Sequence, residues 1–332
     1  MPRLSLLPVC IASLLTISQA ARIPLSKRDS PVLSGYTADP HMAIFDKTYY
    51  IYPTDADGDG KEYHVWKSDN LVNWTRKEEP ILKMNQQDGE GNVPWADGAA
   101  WAPAAIERDG KYYLYHSGTN PSHDGAKNIG VAVADSPEGP FTGQSEPMIF
   151  NTEDVTTNDA IDPMAFFDPV SKKYYLYWGN GGCLHADLDD DMVSINKGTI
   201  GAFPALTGYS EAPFVVYRDG IYHMTYSIAL TWEEDYRVGY ATSTSPIGPW
   251  EYRGVILEKR LDKDIKGTGH QAMVNIPGTD DWYIAYHRFA IPDGDGTRHR
   301  ETCIDRVTFD PDTGLIQKIE PTISGVGEQI IE

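Results

Sequence analysis

Three acidic residues stand at matched places in this chain. Asp39 and Asp162 each directly precede a proline, in the runs ADP and IDP, and Glu211 lies two residues ahead of another, in EAP. Each proline opens an apolar, tyrosine-rich segment that reads as the start of a β-hairpin. Carboxyl groups brought together raise one another's pKa, and partial burial penalises the ionised form. One chemistry that uses such a set is hydrolysis of a glycosidic bond. One carboxyl stays protonated to donate to the leaving oxygen, and another stays ionised to activate water. The third can hold the acid in place and tune its pKa. A single Asp-Pro pair commonly does no more than start a strand; three acids at equivalent positions point to a shared site.

The elements that must position them recur along the chain. ADPHMAIFDKTYYIY is echoed by WAPAAIERDGKYYLYHS from Trp101, by IDPMAFFDPVSKKYYLYWG from Ile161 and by EAPFVVYRDGIYHMTYS from Glu211. A looser copy, GHQAMVNIPGTDDWYIAYHR, begins at Gly269. The marker prolines at 40, 103, 163 and 213 are 63, 60 and 50 residues apart. Each copy reads as strand, turn, strand. Between them lie pieces such as IGVAVADSPEGPFTG and VGYATSTSPIGPWEY, which read as a third strand, a turn and an outer fourth. Five units of four short antiparallel strands, without a convincing amphipathic helix, predict an all-β, single-domain, five-bladed β-propeller. In a propeller, equivalent positions surround one axis, so Asp39, Asp162 and Glu211 are expected to meet at one mouth of the central channel.

Composition bounds the rest. Of the 332 residues, the first 21 read as a signal peptide, with Arg3, an apolar run from Leu4 to Ile17 and small residues at Ser18, Ala20 and Ala21. Residues 22–28 read as a propeptide ending at the dibasic Lys27-Arg28, which leaves 29–332 as the propeller and implies a secreted, extracellular product. The net charge of −20, from 48 acidic and 28 basic residues, disfavours nucleic acid and anionic membrane as partners. Outside the presumed signal, Cys183 and Cys303 are available for one disulfide, and their spacing leaves the pairing open. Asn73-Trp74-Thr75 is a usable N-glycosylation sequon. DADGDG, from Asp55, opens like an EF-hand loop, but its twelfth position is Trp66 where a bidentate Glu is required, and it reads as a solvated loop.

ADP, IDP and EAP at these three positions resemble the signature of glycoside hydrolase family 43, over nearly the whole span from Tyr36 to Thr322. The resemblance implies Asp39 as general base, Asp162 as pKa modulator and Glu211 as general acid of an inverting mechanism. It implies Trp101, in WAP, as an aromatic wall of the sugar site. His270, ending GTGH, resembles an axial histidine that in some members lies beside a water-ligated calcium; no other cofactor is expected. Arg288, ending AYHR, resembles an arginine that reads sugar hydroxyls, with Arg300 as a competitor for that role.

The short form, without an appended C-terminal β-sandwich, is expected to act on plant cell-wall pentose oligosaccharides or polysaccharides. β-Xylosidase is placed first and α-L-arabinofuranosidase second. An endo-arabinanase and a glycan-binding propeller without catalysis are the alternatives. Inversion requires roughly 6.5–9.5 Å between the acid and base carboxyls.

Overall fold

The computed structural model describes residues 30–332 except 57, 86–88, 90, 152–157 and 204–205. The proposed signal and propeptide lie outside the described residues. Blade 1 is built from β1 (Thr37–Phe45), β2 (Thr48–Asp55), β4 (Trp66–Ser68) and β5 (Thr75–Arg76), with β3 (Glu62–Tyr63) and β6 (Leu82–Lys83) forming a small ribbon beside it. Blade 2 holds β7 (Ala104–Arg108), β8 (Lys111–Asn120), β9 (Ala126–Ala134) and β10 (Thr142–Gly143). Blade 3 holds β11 (Met164–Phe167), β12 (Tyr174–Trp178), β13 (Leu184–Asp187) and β14 (Gly201–Ala202). Blade 4 holds β15 (Tyr209–Arg218), β16 (Ile221–Ile228), β17 (Arg237–Ser243) and β18 (Glu251–Leu257). Blade 5 departs from the expected four strands. Among the described residues it has three, β19 (Gly269–Asn275), β20 (Trp282–Phe289) and β21 (Arg300–Val307).

Local chemistry explains the inner hairpins. Asp109-Gly110 and Asp219-Gly220 both take positive φ at both positions, the geometry of the two-residue turn whose twist matches paired strands. Asp46-Lys47 turns blade 1 in the same way, joining the Phe45↔Thr48 pair. Between blades the strands bury tyrosine, tryptophan and aliphatic side chains, with Trp178, Tyr115 and Leu114 fully enclosed.

The two ends of the chain close the ring. The Ser30 N–H donates to Ile323 O at 2.7 Å and the Val32 N–H to Thr302 O at 2.9 Å, tying the N-terminal segment to blade 5. Thr37 and Thr302 share a hydroxyl hydrogen bond of 2.7 Å. At the other end, the Gln329 N–H reaches Asn70 O in blade 1 at 2.9 Å.

One open point is settled here and one expectation is corrected. Cys183, in blade 3, and Cys303, in blade 5, are both buried free thiols, each contacting a backbone carbonyl close to it in sequence. Arg288 does not face the sugar site. Alternation along β20 turns it into the protein, where it is 1% exposed and donates to Glu301 at 2.8 Å and to Thr322 O at 3.2 Å. Removing one partner of a buried ion pair leaves an uncompensated charge. Arg288→Ala is therefore expected to destabilise the fold by roughly 3–5 kcal/mol, read as a lowered midpoint of denaturant unfolding.

Candidate active site

Five residues at the start of the inner strands share one unusual backbone conformation. Asp39, Ala102, Asp162, Ala212 and His270 have φ of 48°, 41°, 58°, 59° and 48°. This left-handed region is uncommon outside glycine and clusters at functional sites. In blades 1, 4 and 5 the strand register shifts across the same point. Such a bulge re-aims side chains at the edge of a sheet. The ring therefore presents Asp39, Asp162 and His270 at the axis, while blade 4 uses the preceding residue, Glu211.

The three carboxyls line one cavity of about 360 Å³ together with Trp101, Asp159, Asn180, Trp232, His270 and Arg300. Asp39 is 7% exposed and Asp162 5%. Arg300 Nη1 donates to Asp39 Oδ1 at 2.9 Å, and the Nδ1 atoms of His287 and His270 lie 3.1 Å and 3.2 Å from the same oxygen. The Asp39 N–H donates to His287 Nδ1 at 3.2 Å. Among the described residues no hydrogen bond is made to Asp39 Oδ2, so that oxygen is available to a water.

The electrostatics separate the two aspartates. Burial by itself would raise the Asp39 pKa, but Arg300, followed by the two histidines, holds the carboxyl well below the usual range. Burial pushes His287 down to about 4 and also lowers His270, so at neutral pH both rings are mainly uncharged and Arg300 carries the compensating charge. Asp162 moves the other way. Burial, then the neighbouring Glu211 and Asp39, raise its pKa well above the ordinary value, although the Ala212 N–H donates to its Oδ2 at 3.2 Å. Glu211 is held at both oxygens, by the Tyr236 hydroxyl on Oε1 at 2.7 Å and by Asn180 Nδ2 on Oε2 at 2.8 Å.

Trp101 is 41% exposed on one wall, with the Lys127 ammonium 5.4 Å from its ring centroid, and Trp232, 58% exposed, also lines the cavity. Sequence reasoning missed Trp232, Asn180, Tyr236 and His287. The first three follow from strand direction. Inner strands run away from this mouth and second strands return to it, so the loops after β12 and β16 must rise beside the acids.

Calcium prefers six to eight oxygen ligands but accepts water for many of them. Among the described residues, Asp162, Glu211 and His270 bring one ligand atom each within 4.8 Å of one another. Below them, a channel cavity of about 20 Å³ is lined by His270 and by Gln271, whose buried Oε1 has no partner among the described residues. Hard oxygens, an orphaned amide oxygen and a largely neutral imidazole fit a cation that completes its shell with water.

The fold and the crowded, differently titrating carboxyls are those of a propeller glycosidase. The model of glycosyl hydrolases family 43 matches residues 28–314, and the chain belongs to that family. It is 32% identical to the β-D-galactofuranosidase xynD of Aspergillus niger, over 91% of this chain and 87% of that protein. It is 29% identical to a β-xylosidase of Xylanibacter ruminicola, over 83% and 95%. A solved family 43 β-xylosidase/α-arabinofuranosidase from a compost microbial metagenome, in complex with xylotriose and in calcium-free form, superposes with a TM-score of 0.74 at 29% identity, covering 91% of this chain and all of that one.

Arg300→Gln removes the positive charge that keeps Asp39 ionised. The Asp39 pKa should rise, so an acid limb of the kcat/KM profile set by this carboxyl should move to higher pH; an unmoved limb would detach Arg300 from the titration of Asp39.

Proposed function

We propose that this protein is an exported, exo-acting, inverting glycoside hydrolase that removes terminal pentose units from plant-wall oligosaccharides, β-D-xylosyl first and α-L-arabinofuranosyl second. The observation that carries this reading is the division of labour in one cavity. Asp39 is kept ionised with Oδ2 free, while Glu211 is held from two sides at the same cavity. Asp39 Oδ2 takes a proton from water as the water oxygen attacks the anomeric carbon. The bond from that carbon to the leaving oxygen breaks with its electron pair, and Glu211 gives that oxygen a proton. Asp162, its proton retained by burial and by its neighbours, avoids a third negative charge beside the other two. The exposed Trp101 ring offers stacking area to a sugar face.

The lining supports a neutral sugar. It carries the carboxyls of Asp39, Asp159, Asp162 and Glu211, and among its described residues Arg300 is the only arginine or lysine. A calcium bound at His270 and Gln271 would supply positive charge that favours ionised carboxyls. Asn73 is exposed and is the proposed glycan site.

A second reading rests on the 32% identity to a β-D-galactofuranosidase. α-L-Arabinofuranose and β-D-galactofuranose share ring stereochemistry, and the hexose adds one hydroxymethyl carbon beyond the ring. Initial rates on matched aryl β-D-xylopyranoside, α-L-arabinofuranoside and β-D-galactofuranoside rank the three. Silence on all of them with turnover of linear arabinan would indicate endo action, and binding without any turnover a lectin.

Asp39→Asn and Glu211→Gln should each remove nearly all turnover of natural substrates, with an activated aryl glycoside partly restoring the Glu211 variant alone. Equal restoration of both would overturn the role assignment. Proton NMR of the first product formed should show the inverted anomer; retention would replace this mechanism with a double displacement.

A further inference from the structure

Resting on that reading of Glu211 as the acid, we infer that Tyr236 and Asn180 are positioning residues that assign the transferable proton to Glu211 Oε2. The two oxygens of Glu211 have different surroundings. Oε1 accepts from Tyr236, which is fully buried and lies behind the site. Oε2 accepts from Asn180, which lines the cavity. A carboxylic acid has one hydroxyl and one carbonyl oxygen. A buried phenol that donates to Oε1 makes it the carbonyl side. The hydroxyl is then Oε2, which can accept from the Asn180 N–H through a lone pair while its own proton points to the leaving oxygen. When the proton departs, both donors remain in place on the carboxylate, so no reorganisation accompanies the transfer.

The phenol is itself held in place. Its ring stacks on His287 at a centroid distance of 5.5 Å and an interplanar angle of 5°. The ring is also met by Gly269, where an added Cβ would come within 2.3 Å of Tyr236 Cε1. The glycine before His270 therefore gives the ring its space. Burial raises the Tyr236 pKa well above the ordinary phenol value, so the hydroxyl stays a donor across the working range. The same stack places Tyr236 against the imidazole that touches Asp39, so one aromatic pair braces both the acid and the base.

The test uses aryl glycosides of the preferred sugar with leaving groups graded from dinitrophenol to unsubstituted phenol, assayed with wild type, Tyr236→Phe and Asn180→Ala. A poor leaving group needs the proton and a good one does not. Both variants should lose kcat/KM on the order of 10–100-fold on the phenyl glycoside, the scale of a hydrogen bond to a charged group, with kcat carrying most of the loss. On the dinitrophenyl glycoside the loss should shrink to a few-fold, so the dependence of rate on leaving-group pKa steepens. A loss of equal size on every leaving group, or none on any, overturns the positioning role while the reading of the site stands. Wild type inactive on the whole series overturns both. Tyr236→Phe retains the ring that stacks on His287, and Asn180→Ala alters a residue at the cavity wall, so misfolding of one leaves the other to decide.

Discussion

The structure depends on holding several carboxyl groups together at the axis of a ring of sheets. Three acids at one channel mouth repel one another, and their burial adds desolvation. The protein divides the charge rather than removing it. Arg300, from the third strand of blade 5, lies against Asp39 from the innermost strand of blade 1, so the ion pair that keeps Asp39 ionised also joins blade 5 to blade 1. Asp162, without such a partner, is driven toward its neutral form. One cation on one side of a crowded site is sufficient to make two similar aspartates behave differently.

That division requires backbone as well as charge. The left-handed conformation at Asp39, Asp162 and His270 is one an ordinary residue adopts at some cost. It turns the side chain off the strand path and into the axis. The same turn at Ala102 and Ala212 carries no functional group, and in blade 4 the acid comes from one residue earlier. The propeller thus supplies five equivalent places and loads them unequally. Beyond the ring, loops that rise at the mouth line the cavity. The loop after β16, carrying Thr231 and Trp232, packs against Gly296 so closely that a Cβ there would meet Thr231 O at 2.1 Å. Two loops from blades 4 and 5 form one wall.

Much of this was legible in the chain. Prolines at 40, 103, 163 and 213, each opening a tyrosine-rich hairpin, together with the looser copy from Gly269, were enough for blade number and for the convergence of Asp39, Asp162 and Glu211, because the period of a repeat is a property of sequence. Where the marker was lost, at Gly269, the reading became less exact, and blade 5 has three described strands rather than four. Arg288 and Arg300 could not be told apart from their motifs. They lie one register step apart at the same end of the β20–β21 pair, and only the alternation of side chains about that pair sends one into the protein and the other to Asp39. Cys183 and Cys303 were similarly open, since spacing carries no information on which blades face each other.

The sequence by itself determined the architecture, the three acids and the hydrolase family, since repeat period and local motifs survive without coordinates. Tertiary structure decided which arginine pairs with Asp39, that the cysteines stay free, and that Tyr236, Asn180, His287 and Trp232 lie at the site. Those outcomes depend on distances between residues far apart in the chain, and a pairwise distance across blades has no local signature.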